Sequence, residues 1–225
     1  MLHVRSHMRA MAWLVLLFSG CAGFNPTTRF QDLVKSREAT AKQVVEALEI
    51  SVEEFANAKK SRLAFDENLP AYKVLPLLLR VENKGDKVYR MYRRDIKAFL
   101  KDEALTPMTS REAADESVAS EYAGKALGWT LATGPFAILF WPATTAASAR
   151  HTHGVNQRVY QHFDGTQFND GVIKAGETVV GFVYFKIPTV GKKLEGLRIE
   201  LNPSLDNSDS RLSITLQIPP IDVES

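Results

Sequence analysis

The 225-residue chain carries 28 Lys and Arg against 26 Asp and Glu, 45% hydrophobic residues and a single cysteine. Arg5 and Arg9 account for the formal net charge of +2, so the chain beyond residue 20 is formally neutral and gives no electrostatic case for nucleic acid as a partner. One thiol cannot close an internal disulfide, so stability has to come from a buried core, and the length suffices for one domain.

The N-terminal segment has a basic start, Arg5 and Arg9, and then an uncharged, mostly apolar run over 10–18. The small residues Ser19 and Gly20 precede Cys21. This is the layout of a secretory signal, and the run falls short of the roughly 20 apolar residues of a spanning helix. The stretch Leu17-Phe18-Ser19-Gly20-Cys21 resembles the lipobox of bacterial lipoproteins, with Phe18 where Leu is usual. The resemblance implies cleavage between Gly20 and Cys21 and attachment of a diacylglycerol to the Cys21 thiol. It also implies sorting to the outer membrane, facing the periplasm, because Ala22 stands where a retention Asp would. The competing readings are a plain membrane anchor or an ordinary signal with an incidental cysteine. Residues 21–47 are then the lipidated N-terminus, a tether and a polar lead-in with a weak helical period.

Residues 48–55 alternate Leu48, Ile50 and Val52 with Glu49, Ser51 and Glu53, which predicts a strand. A short helix is expected over 56–65 before a turn-rich stretch. Residues 72–83 form the next predicted strand, with Pro76 expected at an edge or a bulge because it lacks a ladder donor. Asn83-Lys84-Gly85-Asp86 supplies turn chemistry, and 88–100 returns as a strand bent near Arg93 and Arg94. Towards the C-terminus, 178–187 is apolar on both faces, as a covered strand should be. Leu197, Ile199 and Leu201 alternate with Arg198 and Glu200, and Leu212, Ile214, Leu216 and Ile218 alternate with Ser213, Thr215 and Gln217. Short alternating strands between turn residues predict a mainly β fold, a β-sandwich over 48–220, with 221–225 as a tail. Residues 79–85 resemble the strand and turn of small immunoglobulin-like domains in bacterial envelope proteins.

A helical, apolar insertion is expected at about 110–168. Thr109-Ser110-Arg111-Glu112 fits a capping box, and residues 126–149 carry no charge. Gly124 and Gly128 have the spacing that lets helices approach closely, while Gly134-Pro135 and Trp141-Pro142 interrupt the run. A helical hairpin packed on the sandwich, a hairpin docked into a membrane leaflet or partner, and a spanning helix all fit this pattern. Gly124, Gly128, Trp129, Phe136, Phe140 and Trp141 are the candidate membrane or partner contacts.

Chemistry-bearing residues give weaker signals. His151 and His153 diverge on a helix and lack a third ligand nearby, so no metal and no cofactor is expected. These two and His162 are expected as solvated polar residues. Asp164-Gly165, Asn169-Asp170-Gly171 and 206–209 lack the spacing of calcium loops and are expected as turns. Tyr89, Arg90, Tyr92, Arg93, Arg94, Lys97 and Lys101 make a basic segment interleaved with aromatics, either a solvated, charge-protected edge or a surface for anionic head groups. The sequence holds no Gly-x-Ser-x-Gly elbow, P-loop or dinucleotide fingerprint. The expected role is therefore a non-enzymatic, lipid-anchored interaction or scaffolding module of the envelope. The alternative is a carrier of lipid or another hydrophobic ligand with the apolar hairpin as its lid.

Overall fold

The structure, a computed structural model, describes residues 26, 39–117, 154, 156–188, 193–206, 208 and 210–223. The fold is mainly β, built from several antiparallel sheets. In chain order its strands are β1 (Ala41–Val45), β2 (Leu48–Glu54), β3 (Val74–Asn83), β4 (Tyr89–Met91), β5 (Ile96–Leu100), β6 (Glu103–Ala104) and β7 (Thr106–Met108). They continue as β8 (Gly171–Ile173), β9 (Thr178–Lys186), β10 (Lys193–Leu194), β11 (Leu197–Leu201), β12 (Ser204–Leu205), β13 (Ile214–Gln217) and β14 (Ile221–Asp222). Helix α1 spans Ala58–Phe65, and residues 110–117, 154 and 156–166 are also helical.

The largest sheet has the order β1-β2-β3-β9-β7, and a second has the order β13-β11-β5-β6. Alternation along β2 and β3 sends Leu48, Ile50, Val52, Leu75, Leu77, Leu79 and Val81 to one face. There they share a core with Ile96 and Ala98 of β5, Leu197, Ile199 and Leu201 of β11, and Ile214 and Leu216 of β13. The two sheets thus close on each other over aliphatic side chains, each fully buried one contributing about 1.5–3 kcal/mol.

The opposite face of the large sheet carries Leu78, Phe182 and Tyr184 and is covered by helices. Phe65 of α1 lies with its ring centroid 4.7 Å from Phe182 and 5.1 Å from Phe163, and Ala113, Ala114 and Val159 complete this second core. Strand β9 is apolar on both faces for this reason, as its sequence predicts. The cap of α1 is Asn57, whose side chain accepts from the Lys59 amide at 2.8 Å. The 110–117 helix begins with the expected capping box. The Glu112 amide donates to the Thr109 hydroxyl at 3.1 Å, and the Glu112 carboxylate accepts from the Thr109 amide at 2.7 Å.

Several expectations change. The polar lead-in contains β1, which pairs with β2 through the register Gln43↔Ile50. The tail contains β14, paired with β10 through Leu194↔Ile221. Pro76 lies in an interior strand, between β2 and β9, rather than at a sheet edge. It is tolerated because β2 pairing stops at Glu54, and the Pro76 carbonyl still accepts from the Phe55 amide at 3.0 Å. The bend near Arg93 is a full break: a short 3-10 turn, Arg93–Asp95, separates β4 from β5 and sends them to different sheets.

The 156–166 helix returns to the inter-sheet core along the open part of β9. The Phe168 amide donates to the Phe182 carbonyl at 2.8 Å, and Phe168 is fully buried in the first core. A Cβ on Gly181 would stand 2.3 Å from the Phe168 Cα, so the crossing requires glycine there.

Candidate functional site

The predicted sites in the leader and in the apolar run lie outside the described residues. This applies to Gly20 and Cys21, to Gly124, Gly128, Trp129, Phe136, Phe140 and Trp141, and to His151 and His153. Among the described residues no helix is long and apolar enough to cross a membrane, and no cluster of His, Cys, Asp and Glu could hold a metal ion.

The basic segment is described in full, and the fold takes it apart. Tyr89 and Met91 of β4 point into the core, which turns Arg90 outward between them. The buried Tyr89 passes its hydroxyl to Glu46 at 3.0 Å. Arg93 turns towards the Asn169-Asp170-Gly171 loop, where its amide donates to the Asp170 carboxylate at 2.6 Å and its guanidinium binds Gln167. Lys97 lies on β5 in the second sheet, opposite Glu200, and Lys101 occupies the following turn at φ 58°. Arg90, Tyr92 and Arg94 remain together on one surface.

The C-terminal segment completes that surface. Ser204 of β12 pairs with Arg90 on one side and forms a bridge with Arg211 on the other. Directly opposed residues in antiparallel pairs project to the same face, so Arg90, Ser204 and Arg211 stand in a row across three chain segments. With Tyr92, Arg94, Leu205 and Ser208 they line an open concavity of about 440 Å³. The Arg94 guanidinium lies 4.6 Å from the centre of the Tyr92 ring, which fixes its position by a cation–π contact. The Arg90 guanidinium donates to the Asp206 carboxylate at 2.5 Å. Arg94 and Arg211 have no acidic partner among the described residues.

Arg211 escapes sequence reading because it sits in a Ser/Asp/Asn-rich turn region, far along the chain from the basic segment. The carboxylates of the supposed turns are engaged elsewhere: Asp206 with Arg90, Asp170 with Arg93, and Asp164 with the Ser110 hydroxyl at 2.6 Å. Asp164-Gly165 is not a turn, since both residues belong to the 156–166 helix. His162 is half-buried rather than solvated, with its Nε2 2.7 Å from the Ala64 carbonyl and its ring 6.0 Å from that of Phe65. Burial pushes its imidazole pKa below the ordinary value, against the opposing pull of the Ala64 hydrogen bond.

A second, apolar cleft opens beside Pro107, Met108, Phe182 and Tyr184, with a volume of about 40 Å³. It has no room for an acyl chain, since a single water already takes about 30 Å³ in the liquid.

No family model and no curated protein matches the chain. Among solved structures, a crystal structure of a candidate lipoprotein (ycdA) from Bacillus subtilis is similar over 83% of this chain and 39% of that one. The two are 12% identical, with a TM-score of 0.38. The chain therefore spans about two fifths of that protein's length, and the likeness is too slight to place it in a family. The three-arginine concavity is thus read from its own chemistry: it presents cations and hydroxyls to solvent, and among the described residues its walls hold no nucleophile paired with a general base.

Proposed function

We propose that the chain is a non-enzymatic, lipid-anchored protein of the bacterial cell envelope, an interaction or scaffolding module. Cys21 carries the lipid, the outer membrane is its address, and the folded domain faces the periplasm. The two sheets closing over one core support an immunoglobulin-like β-sandwich. Residues 110–168 are its insertion, helical at 110–117 and over most of 154–166. The observation that carries the interaction role is the open, arginine-lined concavity beside a buried aliphatic core. A carrier would need an enclosed apolar space, and the apolar cleft found among the described residues holds only about 40 Å³. Residues 124–149 remain the candidate second contact with a membrane or an envelope partner.

Fractionation tests this reading. The full chain should be recovered with the outer membrane. A Cys21→Ser form, exported behind a cleavable ordinary signal, should be released to the soluble periplasm. If that form still pellets and deletion of 124–149 releases it, the apolar segment is the second contact. Retention of the Cys21→Ser form with and without 124–149 contradicts anchoring through Cys21.

A further inference from the structure

We propose that the concavity formed by Arg90, Arg94 and Arg211 binds a phosphate-bearing polar group. The inference rests on the reading of this face as the interaction surface, and it does not depend on the lipid at Cys21.

Three arginines line the concavity from separate segments: Arg90 from β4, Arg94 from the 3-10 turn, and Arg211 from the chain after β12. Guanidinium forks match phosphate oxygens with paired N–H donors, and three of them suit a tetrahedral group better than a planar carboxylate. Asp206 neutralises Arg90 and holds it at 2.5 Å, which leaves Arg94 and Arg211 as uncompensated cations among the described residues. A phosphomonoester carries about −1.5 to −2 at neutral pH and would balance those two. The Ser204 hydroxyl, only 3.5 Å from the Arg90 carbonyl, can re-aim towards an oxygen of the ligand.

The volume exceeds that of a phosphate alone and the lining is mostly polar, so the group sits on a polar body such as glycerol or a sugar. A nucleic-acid strand is disfavoured, because Tyr92 is the one aromatic lining the site among the described residues, whereas strand binding uses successive stacking platforms. A lipid head group, whose phosphodiester carries one charge, and a free phosphate monoester, which carries up to two, share the tetrahedral oxygens that guanidinium forks match.

The test uses the mature chain carrying Cys21→Ser, exported behind a cleavable signal. Titration calorimetry with inorganic phosphate, glycerol phosphate and succinate covers free ligands. Flotation with phosphatidylglycerol and phosphatidylcholine vesicles covers lipids. Arg94→Gln and Arg211→Gln should each weaken binding about tenfold, the value of one lost charge-assisted contact. Both side chains are exposed, so the variants should keep the parent unfolding midpoint. Lys97→Gln removes the same charge from an exposed position of β5 and should change nothing.

Binding of glycerol phosphate that is lost in the arginine variants supports the site with a free ester as its source. Binding to phosphatidylglycerol vesicles alone, lost in the same variants, supports it with a head group as its source. The proposal is overturned by absence of binding to every probe, by binding that the arginine variants leave intact, by succinate binding as tightly as glycerol phosphate, or by an equal loss in Lys97→Gln.

Discussion

Arg90 and Asp206 are joined by a hydrogen-bonded ion pair of 2.5 Å that ties β4 to the turn after β12. The pair has two consequences of different size. Its guanidinium is 42% exposed, so the contact adds little to stability, in the range of 0–1 kcal/mol measured for surface pairs. It does set the charge of the concavity, because Asp206 cancels one of the three arginines there. Asp206→Asn should therefore shift the urea midpoint only slightly while tightening glycerol phosphate binding at low ionic strength. Weaker binding in this variant would mean that Asp206 serves chiefly to orient Arg90.

Phe65 is the centre of the helix–sheet core, with rings of Phe55, His162, Phe163, Phe182 and Tyr184 within 6.5 Å of its own. Phe65→Ala leaves a cavity that five aromatic rings cannot collapse to fill, and should cost about 3–5 kcal/mol. Chemical denaturation measures this directly. A loss below about 1 kcal/mol would show that α1 does not close the core as its packing indicates.

Tyr184 presents the opposite case. Its side chain is buried, and its hydroxyl makes no hydrogen bond of good geometry among the described residues; the nearby Thr166 hydroxyl donates to the His162 carbonyl at 2.8 Å and could only accept from it. Burial drives the phenol pKa above its ordinary value, so the group is neutral at physiological pH. Removing an unsatisfied buried hydroxyl is neutral or favourable, and Tyr184→Phe should match or exceed the parent in thermal stability. A clear fall in melting temperature would reveal a partner for that hydroxyl.

His162 gives the domain a pH dependence. Its folded pKa lies below the ordinary 6.5, chiefly through burial, so the folded state disfavours the protonated ring. The unfolded chain then binds more protons as pH falls through about 6.5, and stability is full above that value and lost below it. Denaturation at pH 7.5 and 5.5 should show this loss, and His162→Gln should reduce it. The carboxylates of Glu46, Glu49 and Glu112 are all held below their ordinary values, so they titrate outside this window. Equal pH dependence in the parent and His162→Gln would remove the assignment.

The parts of the fold that read clearly from sequence are those whose residues satisfy one local rule strongly. Alternation from Leu197 to Leu201 marks β11, the Thr109–Glu112 capping box starts its helix, and two-sided apolarity marks β9. Strand β1 is missed because it is half exposed along its length and its residues show no apolar alternation; pairing with β2 defines it. Asp164-Gly165 has turn composition, yet packing of Phe163 and the Ser110–Asp164 hydrogen bond keep the helix going. The concavity is half legible: Arg90, Tyr92 and Arg94 stand out as a basic, aromatic segment. Its other half is not, because only the pairing of Ser204 with both Arg90 and Arg211 brings the distant arginine alongside.

The measurement that bears most directly on the account is the intact mass of the full chain expressed in a Gram-negative host and extracted from its membranes. The account predicts a protein beginning at Cys21 and carrying diacylglyceryl and acyl additions, with the modification absent from Cys21→Ser. A chain recovered unmodified at Cys21, whether uncleaved or cut elsewhere in the leader, would contradict it.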